Sequence, residues 1–162
     1  MDSSYGFTIK TPLGWAAVIC NAKGEAVRSF LPSSKQRAEE FVAHLPRGGN
    51  NRIEKLFVGY FSGEKRDSAK ISVCLDGRSP FQKKVLQALR NIPCGTTTTY
   101  KQLAALAGNP SATRAVGSAM ARNPLPLIIP CHRVVRSDGT LGFFRRWRHG
   151  VKTENAGDGR SS

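Results

Sequence analysis

The sequence predicts an α+β chain in two parts. A small N-terminal antiparallel sheet with helices occupies residues 1–77, and a helical unit built around a helix-turn-helix occupies residues 78–150. Three observations carry this reading. Apolar and polar residues alternate with period two over residues 5–30. Helical spacing replaces that alternation downstream, and the formal charge changes sharply near "DGRSP", Asp76 to Pro80. With 162 residues, 40% of them apolar, the chain can bury a real core in either part.

The elements follow in order. "TPLGWAAVIC" and "NAKGEAV" place two glycine turns inside the alternating stretch, which reads as a short antiparallel meander. "SSKQRAEEFVAHL" has a serine cap and sets Ala38, Phe41, Val42 and Leu45 on one helical face. "NRIEKLFVGYFSGE" repeats the pattern with Ile53, Leu56, Phe57 and Tyr60, and Gly63 stops it. "AKISVCLD" is expected to form a last strand, with Cys74 in the core.

Beyond the boundary, "SPFQKKVLQALRNIP" offers Ser79 as cap, Pro80 in the first turn, and a buried stripe of Phe81, Val85, Leu86 and Leu89. Pro93 ends it. A Thr-capped helix, "YKQLAALA", then runs into the turn "GNP", and Ser111 is expected to cap a second helix, "ATRAVGSAMAR". Two short helices joined by a tight turn make a helix-turn-helix. The second carries Ala112, Ala115, Gly117, Ser118, Ala119 and Ala121, small side chains that permit close backbone approach to a helix or to a DNA groove. "LPLIIPCHRVV" and "TLG", separated by "RSDG", are expected to form the strands and tip of a wing, making this half a winged helix.

Composition narrows the function classes. Residues 1–77 hold eleven Lys and Arg against eight Asp and Glu, whereas residues 78–162 hold fourteen against three. So basic a second half suits a polyanion, because each neutralised phosphate releases counterions; a solvated basic surface is the plainer alternative. No run is long enough to span a membrane, and "MDSSYGFTIK" has no signal-peptide pattern, so a cytoplasmic protein (nuclear in a eukaryote) with no membrane partner is expected. Four cysteines without a C-x-x-C pair, and three isolated histidines, argue against a disulfide scaffold and a structural metal site.

One stretch stands apart. "NPLPLIIPCHRVV" delivers Cys131 beside His132 on a segment stiffened by Pro124, Pro126 and Pro130. A thiol attacks as thiolate, and only a few per cent of an ordinary thiol is ionised near neutral pH. A neighbouring base or positive charge raises that fraction, and His132, Arg122, Arg133 and Arg136 are at hand. Adjacent side chains on an extended strand point to opposite faces. Either the backbone turns at Pro130–Cys131, therefore, or a water relays the proton. An inert buried cysteine beside a surface histidine is the competing reading.

P-C-H-R-V preceded by N-P and an apolar run resembles the active-site segment of the O6-alkylguanine-DNA alkyltransferases, or methylated-DNA–protein-cysteine methyltransferases. The resemblance extends upstream through "SPFQKKVLQALRNIPCGTTTTYKQLAALAGNPSATRAVGSAMARNP" in the same order, and less specifically to "YFSGE" and the meander, covering roughly residues 1–142. It implies that Cys131 takes the alkyl group from O6 of a damaged guanine, once and irreversibly. His132 would be its water-relayed base, Asn123 would hold the proline-rich turn, and Tyr100 would assist departure of the guanine. Arg114, on the second short helix, would fill the space left by the flipped base. Lys101, Asn109 and Ser137 match positions that contact DNA. The resemblance further implies no metal and no cofactor, and a monomer acting on double-stranded DNA that contains O6-alkylguanine.

After "SDGTLG" the pattern changes. Family members continue with a small, glycine-rich loop and an apolar helix bearing a glutamate, where this chain has "FFRRWRHGVKTENAGDGRSS". Only "GVKT" resembles what precedes that helix, and residues 151–162 read as a disordered tail. Glu154 and Asp158 are positional candidates for the acid that would orient His132. Weaker alkyl transfer with DNA binding preserved is the expectation. Two other readings stand beside it: a non-enzymatic protein that binds and flags alkylguanine, and a winged-helix transcription regulator with an incidental thiol.

Overall fold

The computed structural model describes residues 3–66, 68–136 and 138. The chain divides into two compact units, Met1–Asp76 with Pro124–Ile128, and Gly77–Asn123 with Ile129–Ser162. Among the described residues, a small antiparallel sheet and five α-helices give the mixed α/β content of the predicted fold class.

The first unit opens with the expected meander. Strands β1 (Tyr5–Thr11), β2 (Gly14–Cys20) and β3 (Ala26–Ser33) pair antiparallel in the order β1-β2-β3. Gly14 turns the first hairpin at φ 125°, where an added Cβ would lie 2.7 Å from the Ser33 carbonyl oxygen. Helix α1 (Lys35–Val42), capped by Ser34, lays Ala38 and Val42 on Ala17 and Ile19 of the sheet, with Phe41 and Leu45 partly buried around them. Helix α2 (Asn51–Phe61) buries Ile53, Leu56, Phe57 and Tyr60, and is capped by Asn50. It ends where Gly63 adopts φ 91° and the Gly63 and Glu64 N–H groups reach back to the carbonyls of Tyr60 and Gly59.

The expected last strand shrinks to one bridge. Within 69–76 only Val73 pairs, parallel, with Ala26, through Ala26 N–H to Ser72 O and Cys74 N–H to Ala26 O. The same edge of β3 is claimed three residues on by another segment: the Ser29 N–H donates to the Pro124 carbonyl at 3.0 Å. A strand over 69–76 therefore has no edge left to extend along. Cys74 is accordingly half-buried and not in the core.

In the second unit, helix α3 (Pro80–Arg90) starts with the anticipated Ser79 cap, completed by Gln82 into a reciprocal capping box, and Pro80 opens the first turn. Val85, Leu86 and Leu89 are buried, each contributing roughly 1.5–3 kcal/mol. Helices α4 (Tyr100–Leu106) and α5 (Thr113–Ala121) form the helix-turn-helix, with Gly108 at φ 92° in the turn. Thr99 caps α4, but Ser111 does not cap α5: the N-cap is Ala112 and has no side-chain bond. The turn already uses the Ala112 N–H on the Asn109 carbonyl, and the Ser111 hydroxyl points back to Asn109 Oδ1 at 3.0 Å.

The wing also differs from expectation. Its first strand contracts to β5 (Val134–Val135), which pairs parallel with β4 (Thr98–Thr99), and a single 3-10 turn, Cys131–Arg133, precedes it. Three prolines without N–H groups cannot sustain a ladder through 124–130. The second wing strand, "TLG", lies outside the described residues, as do Ser137, Glu154, Asp158 and the 151–162 tail. No helix among the described residues is long and apolar enough to cross a membrane.

Candidate active site

Cys131 sits on a tight turn. Pro130, at φ −78° and ψ 67°, has the inverse γ-turn conformation, and the Cys131 N–H closes the turn on the Ile129 carbonyl at 2.7 Å. The 3-10 turn follows at once, with the Arg133 N–H on the Pro130 carbonyl at 3.0 Å. The backbone thus turns at Pro130–Cys131, and Cys131 and His132 do not alternate as on an extended strand. Cys131 and His132 are both completely buried.

Asn123 locks the turn from its other side. Its Nδ2 donates to the same Ile129 carbonyl at 3.0 Å, so both lone pairs of that oxygen are engaged, one by Asn123 and one by Cys131. The side chain is oriented in turn by the end of α5, where the Asn123 N–H bonds the Met120 carbonyl. Arg133 secures the exit: only 3% exposed, it donates from a guanidinium nitrogen to the Ile92 carbonyl at 2.6 Å, just beyond α3. The sequence marks Arg133 only as nearby charge. Its structural use was detectable in one respect, since Ile92 precedes Pro93 at a helix end, where carbonyls want donors.

A second group of predicted residues meets elsewhere in this unit. Tyr100, Thr113, Arg114, Gly117, Ser118, Ala121 and Arg136 line a cavity of about 480 Å³. Tyr100 reaches it because the Thr99 cap fixes the first turn of α4, with the Thr99 hydroxyl accepting from the Gln102 N–H at 3.0 Å. The exposed face of α5 consists of Thr113, Arg114, Ala115, Ser118 and Ala121 and continues into Arg122 at the C-cap, while Val116, Gly117, Ala119 and Met120 turn inward. The run of small residues therefore does two things. Gly117 and Ala119 serve packing, and Ala115, Ser118 and Ala121 leave a smooth outer face. Arg136, exposed in the cavity wall, is a site residue that the sequence offers only as background charge.

Lys101 and Asn109 are exposed on α4 and in the following turn, outside that cavity lining. Cys131 and His132 do not line it either. The structure thus gathers Asn123, Cys131 and His132 at one turn, and Tyr100 with Arg114 at one cavity.

The family model for the DNA-binding domain of 6-O-methylguanine DNA methyltransferase matches residues 80–156. A methylated-DNA–protein-cysteine methyltransferase of Salmonella typhimurium is 37% identical over 142 residues, 82% of either chain. The chain belongs to this methyltransferase family. A Methanosarcina barkeri protein of the same name is 41% identical over 134 residues, 82% of this chain and 83% of its own. Among solved structures, Mycobacterium tuberculosis OGT in complex with DNA superposes with a TM-score of 0.73 at 28% identity, over 93% of this chain and 92% of that one. The matched domain runs beyond Gly142 to residue 156, across the stretch that holds "GVKT".

Proposed function

We propose that this protein repairs DNA by moving the alkyl group of an O6-alkylguanine onto its own Cys131. The observation that carries this is the Cys131 turn, buried, closed on the Ile129 carbonyl and pinned by Asn123. It is supported by 34–41% identity to curated methyltransferases over most of the chain.

The chemistry is a displacement at carbon. His132, through a water, accepts the Cys131 proton, and the thiolate sulfur attacks the alkyl carbon. An S–C bond forms as the C–O6 bond breaks, and the bonding pair leaves with O6. The departing guanine is neutralised by a proton, for which the Tyr100 hydroxyl at the cavity wall is the donor. A thioether is a poor leaving group, so each molecule acts once. Complete burial of Cys131 means that a base still stacked in the duplex cannot reach it, so the lesion must be flipped out. Arg114, exposed on α5, then occupies the vacated stack. Double-stranded DNA is the partner and a monomer suffices. Cys131 and the methyltransferase names of the relatives favour transfer over mere flagging of the lesion.

Incubation with O6-benzylguanine followed by intact-mass measurement tests the proposal. A benzyl adduct on Cys131, absent in Cys131→Ser, is expected. Unmodified wild-type protein that still binds lesion DNA would instead support the flagging role.

A further inference from the structure

The segment ahead of the nucleophile has an acceptor surplus. Residues 124–130 carry seven carbonyls, but Pro124, Pro126 and Pro130 remove three of the N–H groups. Leu125, Leu127, Ile128, Ile129 and Pro130 are buried, so water is a poor substitute for the missing donors. Leu127 is also the one non-glycine with positive φ among the described residues, at 75°. A buried leucine in the left-handed region is strained, and such strain persists only where the surroundings over-determine it.

Two serines of the first unit supply the determination. Ser29, on β3, donates its N–H to the Pro124 carbonyl at 3.0 Å and its hydroxyl to the Pro126 carbonyl at 2.8 Å. Ser68, itself 3% exposed, donates its hydroxyl to the Ile128 carbonyl. The carbonyl immediately before the Leu127 kink and the one immediately after it are therefore both held. The next carbonyl, Ile129, is the one shared by Asn123 and Cys131. The segment leading to the thiol-bearing turn is thus held at the Pro124, Pro126 and Ile128 carbonyls.

We propose that Ser29 and Ser68 are positioning residues for the alkyl transfer, holding the Leu127 kink so that Cys131 is presented in register for attack. The inference rests on the alkyl-transfer reading above. Each serine acts through the backbone, three to five residues before the nucleophile, where a displacement of about 1 Å can cost on the order of 100-fold in rate.

The test is single-turnover transfer from duplex DNA containing O6-methylguanine, with DNA varied, on Ser29→Ala, Ser68→Ala and the double variant. Hydrogen exchange of the Leu125–Val135 amides is measured in parallel by mass spectrometry. The limiting rate should fall roughly 10- to 100-fold in the double variant. The half-saturating DNA concentration should stay within about twofold, and exchange should quicken at Leu127–Cys131. Ser29→Thr, which keeps the hydroxyl, should recover most of the rate. Val42→Ala, in the core of the same unit, provides a variant of matched melting temperature whose rate should hold. An unchanged limiting rate overturns the proposal. So does a loss no greater than that of Val42→Ala, or a loss that appears as weakened DNA binding. If the wild-type protein itself fails to transfer, the alkyl-transfer reading falls, and exchange alone decides the clamp: protection unchanged in the double variant sinks it too.

Discussion

The turn at Cys131 and the outer face of α5 lie close together in the sequence but are built on opposite terms. From Leu125 to Val135 every residue except Pro126 is buried, and the backbone carbonyls at Pro124, Pro126, Ile128 and Ile129 each have a named donor. On α5, Arg114, Ala115, Ser118 and Ala121 stand exposed, as does Arg122 at its C-cap, with small side chains between the two arginines. The Cys131 turn is held by what surrounds it, whereas the helix face is defined by what has been kept off it. Under the proposed function that difference implies a division of labour, in which chemistry depends on a fixed backbone and recognition on a bare, cationic surface. Substitutions in one region should then leave the function of the other intact.

The largest effect should come from Arg114→Ala. If Arg114 fills the stack behind a flipped base, its loss should slow transfer from duplex DNA roughly 10- to 100-fold. Reaction with free O6-benzylguanine, which needs no flipping, should stay within about threefold of wild type. Rates measured on both substrates check this, and an equal fall on both would erase the division between the two regions.

Ser118→Glu should have the next largest effect. It places a carboxylate on the smooth face, where Ser118 is exposed and shares a cavity with Arg114 and Arg136. DNA affinity should drop about tenfold at low salt, and less as salt screens the added charge. Titrations at two salt concentrations read it out. Benzyl transfer to Cys131 should be unaltered, since nothing in the turn has changed.

How far the sequence reveals each region follows from the range of the forces involved. Local signals were legible: the Ser79–Gln82 capping box, the α2 stripe of Ile53, Leu56, Phe57 and Tyr60, and the Thr99 cap that sets Tyr100 into its cavity. The cysteine–histidine pair and its prolines could also be read, because residues adjacent in the chain need no fold to bring them together. What escaped is long-range. Ser29 and Pro126 are 97 positions apart, so no periodicity announces that β3 holds the segment before the nucleophile. The neighbouring bond from the Ser29 N–H to the Pro124 carbonyl explains why residues 69–76 fail to make a strand, since the edge they would need is already occupied. In the sequence Arg133 reads only as charge, but its buried bond to Ile92 makes it part of the scaffold.

The smallest effect separates two residues that look alike in sequence, each a hydroxyl just before a short helix. Thr99 accepts from the Gln102 N–H while Gln102 returns a bond to the Thr99 N–H, so two otherwise orphaned donors of α4 are satisfied. Thr99→Ala should cost about 1 kcal/mol of stability. Because Tyr100 is the first residue of α4, duplex transfer should slow as well. Ser111 bonds only the exposed Asn109 side chain, and α5 begins without a side-chain cap. Ser111→Ala should therefore stay within about 0.5 kcal/mol of wild type. Paired thermal melts of the two variants decide the matter. A loss at Ser111 as large as that at Thr99 would mean that α5, with its exposed outer face, leans on its cap after all. Its outer face would then be less independent of local backbone order than the contrast with the Cys131 turn requires.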